Sequence, residues 1–206
     1  MVPLAPTRMS AEWSVGWPLF FGESTSPKSG DGVAVLLNVV GGAGASASGD
    51  GSDAVDVHMS NCALVPAEVV ESGYMLRVER YELIQGSGGA GRYRGGLGLR
   101  ADYRNISDRV MYARTEVEQT NPRFFPEGLD GGERGSGCAA ALIAGDSGVE
   151  TILPGKATTM LQPGDIISLR AGGGAGWGDP RDRDAALVAE DVANLKVFPG
   201  LVGSGR

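Results

Sequence analysis

The sequence predicts a mainly β fold of the α+β class: an antiparallel β-sandwich or barrel-like core with glycine-rich loops and a short C-terminal helix. From residue 75 onward, short runs of strand-forming residues recur and are separated by Gly, Pro or Asn. Helical periodicity extends over several turns only near the C-terminus. Glycine supplies 34 of the 206 residues without a three-residue repeat, which excludes collagen and indicates many tight turns or close backbone contacts.

The first part of the chain, residues 1–74, is predicted to be an α+β segment. The apolar run Val33–Val40 has glycine on both sides and predicts a buried strand. It leads into Gly41–Asp53, where Gly, Ala, Ser and Asp have too little bulk to form a core, so this stretch is a predicted glycine-rich loop. Pro66–Glu71 predicts the start of a short helix, with proline in the first turn and acidic residues near its positive end.

Residues 75–206 are predicted to be a mainly β region that ends in a helix. This region is either a second domain or one continuous domain with residues 1–74. Pro163 and Gly164 form a turn signal that leads into its last strand. The predicted strands are Leu76–Leu83, Leu97–Asn105, Val110–Val117, Ala139–Ala144, Glu150–Leu153 and Ile166–Arg170.

The C-terminal helix is predicted over Asp184–Leu195, because apolar residues recur there at near-helical spacing. Two aspartates are candidates for its N-cap, Asp182 and Asp184, since a carboxylate accepts hydrogen bonds from the first free N–H groups of a helix. This is the longest helix that the sequence predicts.

Charge and hydropathy exclude several classes of protein. The chain has 18 Lys and Arg against 25 Asp and Glu, a net charge of −7. This balance argues against nucleic acid as a partner, because phosphate backbones bind basic surfaces. No run reaches the ~18 apolar residues that span a bilayer, and no cleavable leader is recognisable. The two cysteines show no metal-ligand spacing. We therefore expect a cytoplasmic protein without a membrane partner.

The glycine cluster at Gly86–Gly91 matches the pattern GxGxxG of dinucleotide-binding loops. That site needs a strand, the loop and then a helix N-terminus, and the residues that follow here do not open a helix. Dinucleotide binding is therefore rejected. Arg92, Tyr93 and Arg94 are predicted to brace this glycine turn, with the arginines bonding backbone carbonyls or a carboxylate; clamping an anionic group is the alternative.

His58 is the only histidine, so catalysis by histidine has one possible centre in the chain. Asp56 lies two residues earlier, which on a strand places both side chains on one face, and Asn61 adds a further polar group. With Asp53 this region offers a metal two or three ligands, whereas a first-row metal usually takes three or four. We therefore predict no metal bound by this chain alone. A structural histidine and a contribution to a site shared with another chain both remain open.

The order of several sequence blocks resembles the hydantoinase B / 5-oxoprolinase family, which is related to the acetone and acetophenone carboxylase subunits. The resemblance covers about residues 30–195 and corresponds to the carboxy-terminal portion of a longer B-type subunit. The blocks that carry it are Gly41–Ala45, Asp50–Gly51, His58–Asn61, Pro66–Glu68, Leu76–Leu83, Ser87–Gly96, Pro126–Gly132, Leu153–Lys156, Leu161–Asp165 and Gly172–Asp184.

The resemblance implies a role in a heteromeric enzyme. Family members act with a hydantoinase A-type subunit that phosphorylates an amide, lactam or carbonyl oxygen at the expense of ATP. The B-type subunit then completes hydrolysis or carboxylation, usually with a bound metal. The portion of the family that carries its His/Asp metal ligands has no counterpart in this sequence. ATP and a divalent metal, Zn or Mn, are therefore expected in the partner subunits, namely the A-type subunit and an N-terminal B-type half.

Within such a complex we expect this chain to line part of the cleft that binds a small-molecule substrate. The candidate catalytic residues are Asp56, His58 and Asn61, and the candidate substrate-binding residues are Gly41, Gly42 and Gly44. The resemblance leaves the substrate and the choice between hydrolysis and carboxylation open. The alternative is a non-catalytic scaffold subunit whose glycine-rich loops dock it onto larger subunits.

Overall fold

Two antiparallel sheets of five strands each form the core of the molecule. The computed structural model describes residues 15–23, 32–56 and 62–199. The strands are β1 (Val15–Glu23), β2 (Gly32–Leu36), β3 (Val39–Val40), β4 (Leu76–Leu83), β5 (Leu99–Asn105), β6 (Met111–Val117), β7 (Ala139–Ile143), β8 (Glu150–Leu153), β9 (Lys156–Leu161) and β10 (Ile166–Arg170). The helices are α1 (Ala67–Gly73) and α2 (Ala185–Ala193), with short 3-10 turns at Pro122–Phe124 and Pro180–Asp182.

The first sheet has the strand order β2-β1-β6-β9, and β3 also pairs with β1. Strand β6 alternates buried and more exposed residues: Met111, Ala113, Thr115 and Val117 are buried, and Tyr112 is exposed. This period of two is expected of a strand with one face on the core. The second sheet has the order β4-β5-β10-β7-β8.

One hydrophobic cluster joins the two sheets. The first sheet contributes residues such as Val40, Ala113 and Leu161, and the second contributes residues such as Tyr103 and Leu169. Because each sheet buries one face against the other, the arrangement is the predicted sandwich; the sheets do not close into a barrel. The mainly β class of the prediction is confirmed.

The run Val33–Val40 forms two strands rather than one. Its pairs Leu36↔Leu19 and Val39↔Gly16 keep one register along β1, but Leu37 and its successor lie outside the ladder. In that register Leu37 faces Pro18, which has no N–H to donate, so the ladder is interrupted there. The run is also only partly buried, because Leu36 is exposed while Val39 and Val40 are buried.

The other predicted elements, including the helix start at Pro66–Glu71, agree with the structure to within two residues at each end. Asp184, rather than Asp182, caps α2 by accepting the N–H of Ala186 at 2.8 Å. Gly164 has a φ of +90° in the turn before β10, a conformation that favours glycine. Strands β1 and β9 were not predicted. Strand β9 has the sequence KATTML, whose alternation is polar and weak.

The predicted boundary at residue 74 stays a prediction, although β1 pairs directly with β6 and core residues from both sides of it share one cluster. No helix in the described part of the chain is long and apolar enough to cross a membrane. The cytoplasmic location also remains a prediction.

Candidate functional site

Glycine-rich segments beside the sandwich pack directly against one another. We call them the glycine stack: residues 41–53, 87–98, 126–136 and 171–178. Residues 171–178 are all buried and lie at its centre. Their backbone bonds to each neighbour in turn: the N–H of Gly42 donates to Gly172 O at 3.0 Å, that of Gly174 to Gly96 O at 2.9 Å, and that of Gly176 to Glu133 O at 2.9 Å. The segments are thus joined by backbone hydrogen bonds outside the two sheets.

Glycine is needed at these positions because the backbones leave no room for a side chain. A Cβ atom on Gly42 would overlap the carbonyl oxygen of Gly96, and one on Gly95 would overlap that of Gly174. A Cβ on Gly174 would in turn overlap the carbonyl oxygen of Ala43. The high glycine content is therefore explained by close approach of backbones rather than by flexible loops.

This packing determines where the predicted substrate-binding glycines lie. Gly41, Gly42 and Gly44 are all buried within the stack. The carbonyl of Gly41 accepts the N–H of Val55 at 3.1 Å, and the N–H of Gly42 is bonded to Gly172. These two groups are already used within the chain. Substrate contact by the three glycines stays a prediction.

Arg94 is the centre of a buried charge cluster at the edge of the stack. It is only 3% exposed, and its Nε donates to both carboxylate oxygens of Asp191 at 3.3 Å. Its Nη1 donates to Asp53 Oδ1 at 3.2 Å and to the carbonyl of Gly95 at 2.5 Å. Arg94 therefore ties the first glycine segment and helix α2 to its own turn.

A second arginine extends this cluster. Both Nη atoms of Arg183 donate to Asp50, at 2.7 and 2.8 Å, and Nη2 also donates to Asp191 Oδ2 at 2.6 Å. Lys196 Nζ lies 2.9 Å from Asp53 Oδ2. Three positive and three negative side chains thus balance one another. The charge cluster consists of Asp50, Asp53, Arg94, Arg183, Asp191 and Lys196.

The cluster shifts the pKa values of three of its members, Asp50, Asp53 and Arg183. Burial by itself would raise the pKa of Asp50, but the hydrogen bonds from Arg183 and from the Arg94 N–H, together with their charges, lower it below 3.8. Burial likewise opposes ionisation of Asp53, yet the Leu97 N–H and Lys196 lower its pKa. Arg183 has a raised pKa because its pairing with Asp50 and Asp191 outweighs its desolvation. Both aspartates are therefore ionised at neutral pH.

The three residues that were predicted to brace the glycine turn, Arg92, Tyr93 and Arg94, lie in different surroundings. Arg94 is buried in the charge cluster, whereas Arg92 is exposed and its guanidinium lies 5.5 Å from the centroid of the Tyr93 ring. The backbone N–H of Tyr93 donates to Trp177 O and that of Trp177 donates to Tyr93 O, each at 2.9 Å. Tyr93 thus joins two segments of the stack through its backbone.

Of the predicted catalytic residues, only Asp56 belongs to the described part of the chain; His58 and Asn61 lie outside it. Asp56 Oδ2 accepts the N–H of Cys62 at 2.7 Å, so the residues on either side of 57–61 are held together. Three residues before it, Asp53 Oδ1 accepts the N–H of Leu97 at 2.8 Å. The N–H groups of Ala54 and Val55 also donate to Leu97 O and Gly41 O, so the chain from Asp53 to Val55 is anchored to the stack.

No group of three His, Cys, Asp or Glu side chains among residues 15–23, 32–56 and 62–199 is arranged to hold a metal ion. The carboxylates of the charge cluster already bind arginine or lysine, which occupies the oxygen atoms that a cation would need. The described residues therefore do not fit a metal site.

Sequence reasoning singled out Arg94 but missed the importance of Asp50, Arg183, Asp191 and Lys196. These residues are far apart in the chain: Arg94 and Asp191 are separated by 97 positions, and Arg183 and Asp50 by 133. The only local signal is the alternation of charge in Arg181–Asp184, directly after a glycine run. This alternation indicates that the charges are paired, but it does not identify the residues that they pair with.

Comparison with known proteins identifies relatives of this chain. The model of the family described as Hydantoinase B/oxoprolinase matches residues 1–180. The B-type subunit of a putative D-/L-hydantoinase from Pseudomonas sp. (strain NS671) is 32% identical over 143 residues, which cover 69% of this chain and 24% of the relative. The beta chain of caprolactamase from Pseudomonas jessenii is 30% identical over 199 residues, 92% of this chain and 33% of the relative.

Two solved structures share the fold. The ATP-dependent caprolactamase from Pseudomonas jessenii superposes with a TM-score of 0.78 at 27% identity, covering 96% of this chain and 35% of that chain. The nucleotide-free acetone carboxylase superposes with a TM-score of 0.74 at 20% identity, covering 94% of this chain and 30% of that chain, and this likeness shows the fold alone. The chain thus spans between about a quarter and a third of the length of these relatives.

Proposed function

The chain belongs to the hydantoinase B/oxoprolinase family, and we propose that it forms the carboxy-terminal part of a B-type subunit in an ATP-dependent enzyme complex. The complex acts on a small cyclic amide or a ketone, by hydrolysis or carboxylation. The names of two relatives support the cyclic amide, since they are a hydantoinase subunit and a caprolactamase subunit; the ketone follows from the family resemblance of the sequence blocks.

In this proposal the chemistry is divided among chains. A hydantoinase A-type subunit uses ATP to phosphorylate the substrate oxygen, and an N-terminal B-type half holds a divalent metal, Zn or Mn. Among the described residues of this chain, no set of three ligands is arranged for a metal ion. The role of this chain is to position polar groups and backbone against the substrate.

The observation that carries this role is the anchored exit of the chain from the glycine stack. Asp53 accepts the Leu97 N–H and the Arg94 guanidinium, and Asp56 accepts the Cys62 N–H. These bonds fix the described residues on either side of 57–61. We propose that Asp56, His58 and Asn61 contribute to a cleft shared with the partner chains. The stack that contains Gly41, Gly42 and Gly44 forms its rigid floor.

The scaffold role remains the second candidate, and one observation favours it. The backbone groups of Gly41 and Gly42 are bonded within the chain, so the glycine-rich segment is packed against this protein rather than open to a ligand. A scaffold needs the rigidity that the stack provides and requires no contact with substrate. The two roles differ in whether residues 56–61 affect turnover.

The proposed assembly is tested by purifying the tagged chain from its native host. Native mass spectrometry and metal analysis of the purified material identify the chains and ions that accompany it. ATP hydrolysis is then measured with hydantoin, 5-oxoproline, caprolactam and acetone as probes. We expect A-type and N-terminal B-type chains, bound metal, and ATP hydrolysis stimulated by one of these compounds. A chain recovered alone, with no stimulated ATPase, contradicts the proposal.

His58→Ala separates the catalytic role from the scaffold role. If His58 takes part in proton transfer, we expect turnover by the purified complex to fall by about 10²-fold or more. Native mass spectrometry should show an intact assembly. Ser60→Ala, in the same segment, is the matched control and should retain activity. Unchanged turnover would favour the scaffold role, and dissociation of the complex would make His58 a structural residue.

A further inference from the structure

The outer faces of the two sheets differ in the kind of side chain that they expose. On the second sheet, Arg100 donates three hydrogen bonds to Asp102, at 2.8, 3.0 and 3.2 Å, and Arg80 approaches the same carboxylate at 3.5 Å. Arg170 pairs with Glu150 at 2.8 Å. Asp102 is itself buried beneath these side chains. Ion pairs therefore cover much of this face, although Ile152 of β8 is exposed on it.

The outer face of the first sheet also carries an ion pair, Arg114–Glu116, but in addition it exposes several large apolar side chains. Tyr112 and Met160 are cross-strand partners and are 50% and 56% exposed. Val110, two residues before Tyr112, and Leu36 of β2 are exposed to a similar extent. We call these four residues the Tyr112 face. Apolar side chains grouped on one sheet face mark an interaction site more often than isolated ones do.

The Tyr112 face extends to an open sheet edge. Strand β9, which carries Met160, pairs only with β6 among the described strands. It contains no proline and, apart from Lys156 at its start, no charged residue. Edge strands of proteins that act alone are usually blocked by charges, proline or bulges. A partner can therefore bury the apolar face and bond to the free backbone of β9.

We infer that the Tyr112 face and the β9 edge dock the remaining portion of a B-type subunit, supplied as a separate chain. This inference rests on the proposed function. Related chains contain this fold as 35% or less of their length in the structures compared, so most of a complete subunit must pack around it. The outer face of the second sheet is covered mostly by ion pairs, whereas that of the first sheet groups four exposed apolar side chains. The partner surface is accordingly apolar and includes a strand edge.

Hydroxyl-radical footprinting tests which face is covered. The tagged chain is oxidised in the complex purified from its host and, separately, as the isolated chain. We expect Tyr112 and Met160 to be protected at least fivefold in the complex. Tyr81 of β4, in the other sheet and 41% exposed, is the matched control and should react equally in both states. Peptide sequencing must identify the partner as an N-terminal B-type chain.

The remaining outcomes overturn the inference in distinguishable ways. If the B-type partner is present but Ile152 of β8 is protected and Tyr112 is not, the docking face is wrong while the proposed function stands. If native mass spectrometry shows two copies of this chain with Tyr112 protected, the inferred partner is wrong, because a second copy of the chain covers the Tyr112 face. If the chain purifies alone, both the inference and the proposed function fail.

A pair of charge insertions gives an independent test. Met160→Glu places a carboxylate on the Tyr112 face, and Ile152→Glu places one at a similarly exposed apolar position, 62% exposed, in the other sheet. We expect Met160→Glu to reduce recovery of the partner at least tenfold, and Ile152→Glu to leave it unchanged. Thermal unfolding of each isolated variant shows whether it is folded. Equal recovery with both variants contradicts the inference.

Discussion

At the scale of single residues, Gly42 shows most clearly what the glycine stack requires. Its N–H bonds to Gly172, and the place where its Cβ would lie is occupied by the carbonyl of Gly96. Both neighbours are backbone, which moves only if the segments separate. A methyl group at this position therefore cannot be accommodated by a change of rotamer.

Gly42→Ala should lower the free energy of unfolding by about 3 kcal/mol or more, because the added Cβ forces two packed backbones apart. The control is Gly49→Ala in the same glycine-rich segment, where nothing lies within 4 Å of the place that the new methyl group would take and φ is not in the left-handed region. It should change stability by less than about 0.5 kcal/mol. Urea denaturation measures both, and equal effects would show that the stack is loosely packed.

Asp50 and Asp53 make stability depend on acid pH. Their pKa values are lowered in the folded protein relative to 3.8. A depressed carboxyl pKa contributes stability above the unfolded value, and that contribution is lost as pH falls through the folded value. We expect the free energy of unfolding to decrease below about pH 4.

Urea titrations from pH 7 to 2.5 measure this dependence. Asp50→Asn should be less stable than the parent at neutral pH, and its stability should fall less steeply in acid because one of the two carboxylates no longer titrates. The partial exposure of Asp50 reduces the size of the effect. Parallel curves for parent and variant would contradict the assignment.

At the scale of elements, helix α2 is attached to the rest of the molecule mainly by charge. Its only residue below one-tenth exposure is Asp191, which accepts bonds from Arg94 and Arg183. A helix of nine residues is marginal by itself in water, so tertiary contacts have to stabilise it. The charge cluster supplies these contacts and fixes the helix against two segments of the glycine stack.

Asp191→Asn should destabilise the protein by about 3 kcal/mol, since it removes a charge shared by two buried arginines. Glu190→Gln, at the adjacent exposed position of α2, should change stability by less than about 0.5 kcal/mol. Thermal unfolding with circular dichroism compares the two variants. Hydrogen exchange should also accelerate at Gly51 and Leu97, whose N–H groups bond to Arg94 O and Asp53. Exchange that changes only within α2 would show that the helix is not coupled to the stack.

At the scale of the whole molecule, the sandwich and the glycine stack share their chain segments. Strand β5 continues directly from the stack at residues 94–98, and β10 leads directly into residues 171–178. One hydrophobic cluster contains residues from both sides of residue 74. The described residues are therefore expected to unfold together.

Trp177 reports on the stack, because it is buried there. In a variant with Trp13→Phe and Trp17→Phe, its fluorescence and the far-ultraviolet circular dichroism of the sheets should follow the same urea transition. Coincident transitions would indicate one continuous domain. Separate transitions would favour two domains with a boundary near residue 74.

Much of the fold was predictable from local patterns. Pro66 and the acidic residues that follow it indicated α1, Asp184 was one of the two candidate caps of α2, and runs of strand-forming residues separated by Gly, Pro or Asn identified most strands to within two residues. The interruption opposite Pro18 was not predictable, because it depends on which strand lies beside Leu37. Strand β9 was missed because its inward residues Ala157 and Thr159 are small or polar and give a weak periodic signal.

By itself the sequence determined the mainly β class, the strands that Gly, Pro or Asn separate, the turn at Gly164 and the resemblance to one family. Tertiary structure alone decided that Gly42 meets Gly96 and Gly174, and that Asp191 meets Arg94 across 97 positions. The physical reason is the separation along the chain over which each kind of interaction acts. Strand alternation, turns and caps act between residues a few positions apart, whereas glycine close packing and buried ion pairs depend on which distant segments the fold brings into contact.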